Sequence, residues 1–146
     1  MNNKLVYLSG PMSGYPNFNY DRFNEVALKL RSAGYVVINP AEIQGNSDNT
    51  TFDEGGNSIV DKNDWVDLLS RDLITILEMK VGMIVLLSGW HGSKGAKAEL
   101  YVCQEVLGSR VYEYCDYNSE SSFRLIEKYV SIGFNCEGNK GETICH

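Results

Sequence analysis

The sequence predicts an α/β protein: a doubly wound parallel sheet of four to five strands with helices on both faces. Three observations carry this expectation. Short apolar runs at Leu5–Leu8, Tyr35–Ile38 and Met83–Leu87 read as buried strands. Between them lie segments whose apolar residues recur at helical spacing, and glycine-bearing turns separate the two kinds of segment. Strand, turn, helix, strand is the repeating unit of a parallel sheet, with a right-handed crossover. Ligands of such sheets bind beyond the carboxyl ends of the strands, where the strand order reverses.

The elements follow in order. Leu5–Leu8 is closed by the turn Ser9-Gly10-Pro11-Met12-Ser13-Gly14. Phe23, Val26, Ala27 and Leu30 predict a helix over 19–33, which Gly34 stops. Tyr35–Ile38 ends at Asn39-Pro40. Residues 44–62 are polar and rich in Asn, Asp, Thr and Gly, a loop of the length expected for a lid over a site or a segment without order. Trp65, Leu68, Leu69, Leu73 and Ile76 predict a helix over 63–79, and Asp72 shares the inward face of Leu68 and Leu69. Met83–Leu87 then runs into Ser88-Gly89-Trp90-His91-Gly92-Ser93-Lys94-Gly95. A helix follows, marked by Ala96, Cys103 and Leu107, with Glu99 on the same face. Val111–Tyr114 reads as a fourth strand. Phe123, Ile126, Glu127 and Val130 predict a last helix over 119–131, and residues 133–146 form a polar tail without periodicity. One domain over 1–132 with that tail appended is the expected organisation.

Composition narrows the function classes. The chain has 146 residues, 43% hydrophobic and 22% charged, with a formal net charge of −6. That balance fits an ordinary globular domain and argues against a nucleic-acid polymer as partner. No signal-peptide pattern opens the chain and no apolar run reaches the length of a membrane span, so a cytoplasmic protein without membrane contact is expected. Cys103, Cys115, Cys136 and Cys145 show no paired spacing, which points to reduced thiols. Cys136, Cys145 and His146 are too scattered to argue for zinc, and neither a metal nor a cofactor is expected.

The glycine-rich turn from the third strand into a helix is the sharpest local signal. Its backbone N–H groups sit beside the positive end of a helix dipole, a place suited to a phosphate. The turn after the first strand is neither GxGxxG nor a Walker loop, which disfavours a dinucleotide and ATP bound in those ways. There is no nucleophile elbow for a Ser-His-Asp mechanism and no HExxH. Taken singly, Glu99 reads as a solvated helix carboxylate, Asp72 as a partner for Arg71 or a lysine, Tyr7 as plain core and His91 as an exposed loop residue. For Glu99, a place near a glycine loop and on the inward face weakens the plain reading, while Asp72, Tyr7 and His91 stay open between the plain and the functional one.

Tyr7-Leu8-Ser9-Gly10-Pro11-Met12-Ser13-Gly14, Asn39-Pro40-Ala41-Glu42, and Leu87-Ser88-Gly89-Trp90 with Ser93-Lys94-Gly95-Ala96 and Glu99 carry a further signal. Together these motifs resemble the nucleoside 2-deoxyribosyltransferase superfamily, in particular its phage and prophage branch and the nucleoside 5′-monophosphate N-glycosidases. The likeness spans roughly residues 4–114. It implies a flavodoxin-like fold and cleavage of an N-glycosidic bond, with Glu99 as nucleophile, Tyr7 orienting it and Asp72 as acid. It further implies that Ser9, Gly10, Pro11, Met12, Ser88, Gly89, Trp90, Ser93, Lys94 and Gly95 hold the substrate and its phosphate. Relatives acting on free nucleosides carry an aspartate six residues before the nucleophile, whereas those acting on 5′-monophosphates carry serine, as Ser93 is here. A carboxylate there would repel a phosphate, while a hydroxyl, loop N–H groups and Lys94 attract it. Relatives also carry an aspartate near the start of the third strand, where this chain has Gly82. The resemblance implies a small-molecule nucleotide or nucleoside as partner, a homodimer or larger assembly with the 119–131 helix as a contact surface, and host cytoplasm for a phage-encoded protein. A nucleoside deoxyribosyltransferase and a non-catalytic nucleotide-binding module are the alternatives on the same fold.

Overall fold

The computed structural model describes residues 4–43, 51–52, 54–56, 58–59, 62–116 and 122–130. The main sheet comprises β1 (Leu5–Ser9), β2 (Val36–Ile38), β3 (Met83–Leu86), β4 (Arg110–Asp116) and β5 (Phe123–Lys128). The helices are α1 (Tyr20–Ser32), α2 (Pro40–Ile43), α3 (Lys62–Met79) and α4 (Lys94–Tyr101). Strand order is β2-β1-β3-β4-β5, parallel as far as β4, with β5 antiparallel to it. This is an α/β fold compatible with the flavodoxin-like order. Part of the expected 44–62 loop is an antiparallel ladder of Thr51–Phe52 with Ser58–Ile59.

Strand alternation divides the core between the two faces of the sheet. Val6 and Leu8 of β1, with Met83 and Val85 of β3, face α1 and pack on Phe23, Val26, Ala27 and Leu30. Tyr7, Ile84 and Leu86 point the other way, toward Ile76 of α3 and Ala96, Leu100 and Cys103. Because β1 and β3 are covered on both faces, their sequences read as unbroken apolar runs.

The last element differs from the expectation. Phe123–Lys128 is a strand, not part of a helix, paired with β4 from Val111↔Lys128 to Asp116↔Phe123. Over 123–128 the expected helical contact surface is replaced by that of an edge strand. Residues 117–121, 131 and the tail at 133–146 lie outside the described residues.

The strand order reverses between β1 and β3, since β1 connects outward to β2 and β3 outward to β4. The loops leaving both strands meet at that point. The Leu87 N–H donates to the Ser9 carbonyl at 2.8 Å, extending the pairing one step beyond the strands. A Cβ on Gly10 would stand 2.8 Å from the Leu87 Cβ, so only glycine lets the loops approach this closely.

Candidate active site

Glu99 lies near the middle of α4, one helical turn before Cys103, on the face turned to the sheet. Its carboxylate is buried at 5% exposure and is gripped on both oxygens. The Tyr7 hydroxyl donates to Oε2 at 2.7 Å, and the Ser9 hydroxyl donates to Oε1 at 2.6 Å. Tyr7 and Ser9 are two positions apart on β1, so the pleat sends both side chains to the α4 face. Asp72 reaches the same place from α3 and is 3% exposed.

Two acidic groups buried together strain each other's ionisation. Burial, then the Asp72 charge, push the Glu99 carboxyl up to about 8, while the Ser9 and Tyr7 hydroxyls pull against that rise. Burial, followed by the Glu99 and Asp72 charges, raises the Tyr7 phenol well above its usual range, so it stays a donor. The Cys103 thiol is pushed up to about 12 by burial and the Glu99 charge, which leaves it a protonated, inert neighbour. The Tyr20 phenol of α1 is raised by burial and the Asp72 charge.

Glu99 and Asp72 open onto a cleft of about 330 Å³, within the size range of small-molecule sites. Gly10, Pro11 and Met12 form one side, while Gly89, Ser93, Lys94 and Gly95 form another. Trp65, Leu68, Leu69, Tyr15, Phe18 and Pro40 supply apolar walls. Ser93 caps α4: its Oγ accepts the Ala96 N–H at 3.1 Å, which uses a lone pair and leaves the O–H proton for a ligand. The N–H groups of Lys94 and Gly95 open the first turn of the helix and have no intrahelical acceptor. Gly89 takes φ +91°, and a Cβ there would lie 2.9 Å from the Tyr15 hydroxyl and 3.2 Å from Pro11 Cγ. The two loops thus pack directly on each other beside the cleft.

Of the residues expected to touch substrate, three stand elsewhere. Ser9 lies behind Glu99 and spends its hydroxyl on it. Ser88 is exposed and does not line the cleft. Trp90 is turned into the core, 5% exposed, with its indole N–H donated to Glu113 at 2.9 Å and His91 stacked on it at 3.8 Å between ring centroids. Gly82 sits at the amino end of β3, the end away from the cleft, and its carbonyl accepts the Arg110 N–H.

The sequence did not mark the aromatic walls. Phe18 is brought to the cleft by three successive left-handed residues, Asn17, Phe18 and Asn19, at φ 48°, 55° and 61°. Left-handed backbone costs about 1–2 kcal/mol at a non-glycine residue. Asn19 offsets part of this by donating its side-chain amide to the Pro11 carbonyl at 2.9 Å. Trp65 was recognisable as a helix-face residue, but the same spacing describes a core contact and a cleft wall.

Among the described residues no group of His, Cys, Asp and Glu has the arrangement of a metal site, and no helix is long and apolar enough to cross a membrane.

The site is thus a carboxylate clamped by two hydroxyls beneath a cleft, at the reversal point of an α/β sheet, the place where sheets of this kind bind their ligands. Residues 4–112 match the family described as a domain of unknown function (DUF4406), and the chain belongs to that family. Comparison with curated proteins and with solved structures found no match.

Proposed function

We propose that this chain cleaves the N-glycosidic bond of a (deoxy)nucleoside 5′-monophosphate and releases the free base. It would thereby be a member of the nucleoside 2-deoxyribosyltransferase superfamily, as its motifs suggest. The observation that carries the reading is Glu99: a buried carboxylate held by Tyr7 and Ser9, beside Asp72, at the floor of an open cleft. A structural carboxylate is more cheaply placed in water.

In this reading a Glu99 oxygen attacks the anomeric carbon. The bond from that carbon to the base nitrogen breaks, its electron pair stays on the nitrogen, and Asp72 protonates the departing base. The sugar is left as an ester of Glu99. A water molecule, deprotonated by the Asp72 carboxylate, then attacks the anomeric carbon, frees the sugar 5-phosphate and returns the Glu99 carboxylate. This is the two-carboxylate logic of glycosyl transfer, one group as nucleophile and the other as acid, then base. Tyr7 remains protonated and fixes the direction of attack. The Ser93 hydroxyl, the first-turn N–H groups of α4 and Lys94 receive the phosphate. The base rests among Phe18, Trp65, Leu68 and Leu69. The chemistry uses no metal or cofactor, and a homo-oligomer working in the cytoplasm, the host's if phage-encoded, completes the proposal.

The test is to incubate the purified protein with a panel of nucleosides and their 5′-monophosphates and follow free base by chromatography. Base from monophosphates alone, lost in Glu99→Gln, is the expected result. Base from nucleosides, or only with a second base as acceptor, makes it a deoxyribosyltransferase. Binding of a monophosphate without turnover, unchanged in Glu99→Gln, makes it a binding module.

A further inference from the structure

Asn19 stands at the start of α1, where an asparagine side chain ordinarily accepts a hydrogen bond from the first N–H groups of the helix. It makes no such bond. Its side-chain amide turns outward instead and donates to the Pro11 carbonyl at 2.9 Å, in the glycine loop that follows β1. We propose that Asn19 is a positioning residue for base recognition: its bond to Pro11 locks the strained segment 17–19 against that loop and so holds the Phe18 ring in the cleft wall. The base-binding role rests on the nucleotide reading of the cleft, whereas the hold on Phe18 rests on geometry alone.

Phe18 has to be held. At φ 55° and ψ 24° it takes a left-handed backbone, which asparagine tolerates and a bulky residue rarely adopts. Asn17 and Asn19 flank it at φ 48° and 61°, although left-handed residues normally occur singly. Such a conformation persists only where its surroundings over-determine it. Short-range contacts shape the turn from within. The Phe18 N–H donates to the Tyr15 carbonyl at 3.1 Å, the Asn19 N–H donates to the Pro16 carbonyl at 3.0 Å, and the Phe18 ring stacks on Tyr20 at 5.4 Å between centroids. The Asn19–Pro11 bond reaches further: it spans eight residues and closes 11–19 into a ring. Pro11 and the half-buried Phe18 both line the cleft, so this closure fixes two of its walls relative to each other. Without it the segment can relax toward the right-handed region, and the ring leaves the wall. The phosphate is received on another side of the cleft, by Ser93, Lys94 and the first turn of α4. Phe18 offers an aromatic face, which suits the flat ring of a base and gives a phosphate nothing to bond. The latch therefore acts on the base-dependent part of binding.

Amide hydrogen exchange and kinetics of the whole protein test this with two variants. Asn19→Gly deletes the side-chain amide and leaves the left-handed backbone unhindered. Asn19→Asp keeps the size of the side chain but offers the Pro11 carbonyl an acceptor in place of a donor. With no ligand present, the Phe18 and Asn19 N–H groups should exchange about tenfold faster in both variants. KM for a 5′-monophosphate should rise about threefold to tenfold with kcat held within about twofold, because stacking on the base is common to ground and transition states. The inhibition constant of 2-deoxyribose 5-phosphate, which carries no base, should not change. In a Phe18→Ala background, where the ring is already gone, Asn19→Gly should add nothing to KM. Unchanged exchange, an equal loss for the monophosphate and the sugar phosphate, or a KM effect that adds to that of Phe18→Ala overturns the proposal. A wild type that neither releases base nor binds a monophosphate overturns the nucleotide reading instead. The base-binding role falls with it, while faster exchange in the variants still establishes Asn19 as the residue that holds Phe18.

Discussion

Replacing Glu99 by glutamine should make the protein more stable at alkaline pH, whatever the substrate. The carboxyl is moved from its ordinary 4.5 up to about 8, chiefly by burial. Unfolding releases it to its ordinary value. Between those two values the folded Glu99–Asp72 pair holds one proton that the unfolded state has lost, so stability falls as pH rises through the interval. Each pH unit of full difference is worth about 1.4 kcal/mol, which sets an upper bound of about 5 kcal/mol. A proton shared with Asp72 relieves part of this, so a gain of about 2–4 kcal/mol is expected in the variant at about pH 8. Glutamine fits the site: its carbonyl accepts from Tyr7, and its amide donates to the Ser9 oxygen once that hydroxyl turns. Urea or thermal unfolding of both proteins at about pH 5 and about pH 8 measures the effect, each kcal/mol moving the midpoint by about 2–4 °C at this chain length. The two proteins should differ little at the lower pH and clearly at the higher. A variant no more stable than wild type at about pH 8, or one equally advantaged at both, refutes the claim that a desolvated carboxylate sits in this site.

Two further outcomes follow from the loops. Gly10→Ala would push a methyl to 2.8 Å from the Leu87 Cβ, both atoms being fixed by backbone, and should cost about 1–3 kcal/mol by urea denaturation. Lys94→Ala should raise KM for a monophosphate about threefold to tenfold at low salt, less at high salt, with no effect on binding of the corresponding nucleoside; isothermal titration in both buffers checks it.

Much of the site was legible because it obeys simple periods. Asp72 follows Leu68 and Leu69 at helical spacing and does share their inward face. Glu99 lies between Ala96 and Cys103, and all three are buried together. The position of Ser9 was also legible, since a residue two beyond Tyr7 on a strand must share its face, but the glycines after it drew attention to the loop. Trp90 was expected at the substrate only through the family resemblance, and tertiary contact shows it buried, with its indole N–H on Glu113. The final element shows where periodicity fails. Phe123, Ile126 and Val130 fit a helical repeat, yet the segment forms a strand on the sheet's margin. Its outer residues Ile126, Glu127 and Lys128 are all exposed, so no clean alternation of polar and apolar marks it. The turn of π-helix at Val102–Val106 was equally invisible, because one wider turn does not disturb a pattern of period 3.6.

The family match stops at residue 112, inside β4, yet the hydrogen-bonded architecture does not stop there. β5 covers the open margin of β4, and beyond it Gln104 clasps the main chain of Val130, accepting its N–H at 3.0 Å and donating to its carbonyl at 2.5 Å. The Val130 side chain closes the layer that contains Tyr7 and Cys103. The unit recognised by sequence and the unit that folds are therefore different lengths. A fragment cut at the family boundary would end in mid-strand and present a bare edge able to recruit strands from other molecules. One cut after Val130 keeps the clasp, so fusions, transplants and shortened versions of the domain have to run at least that far.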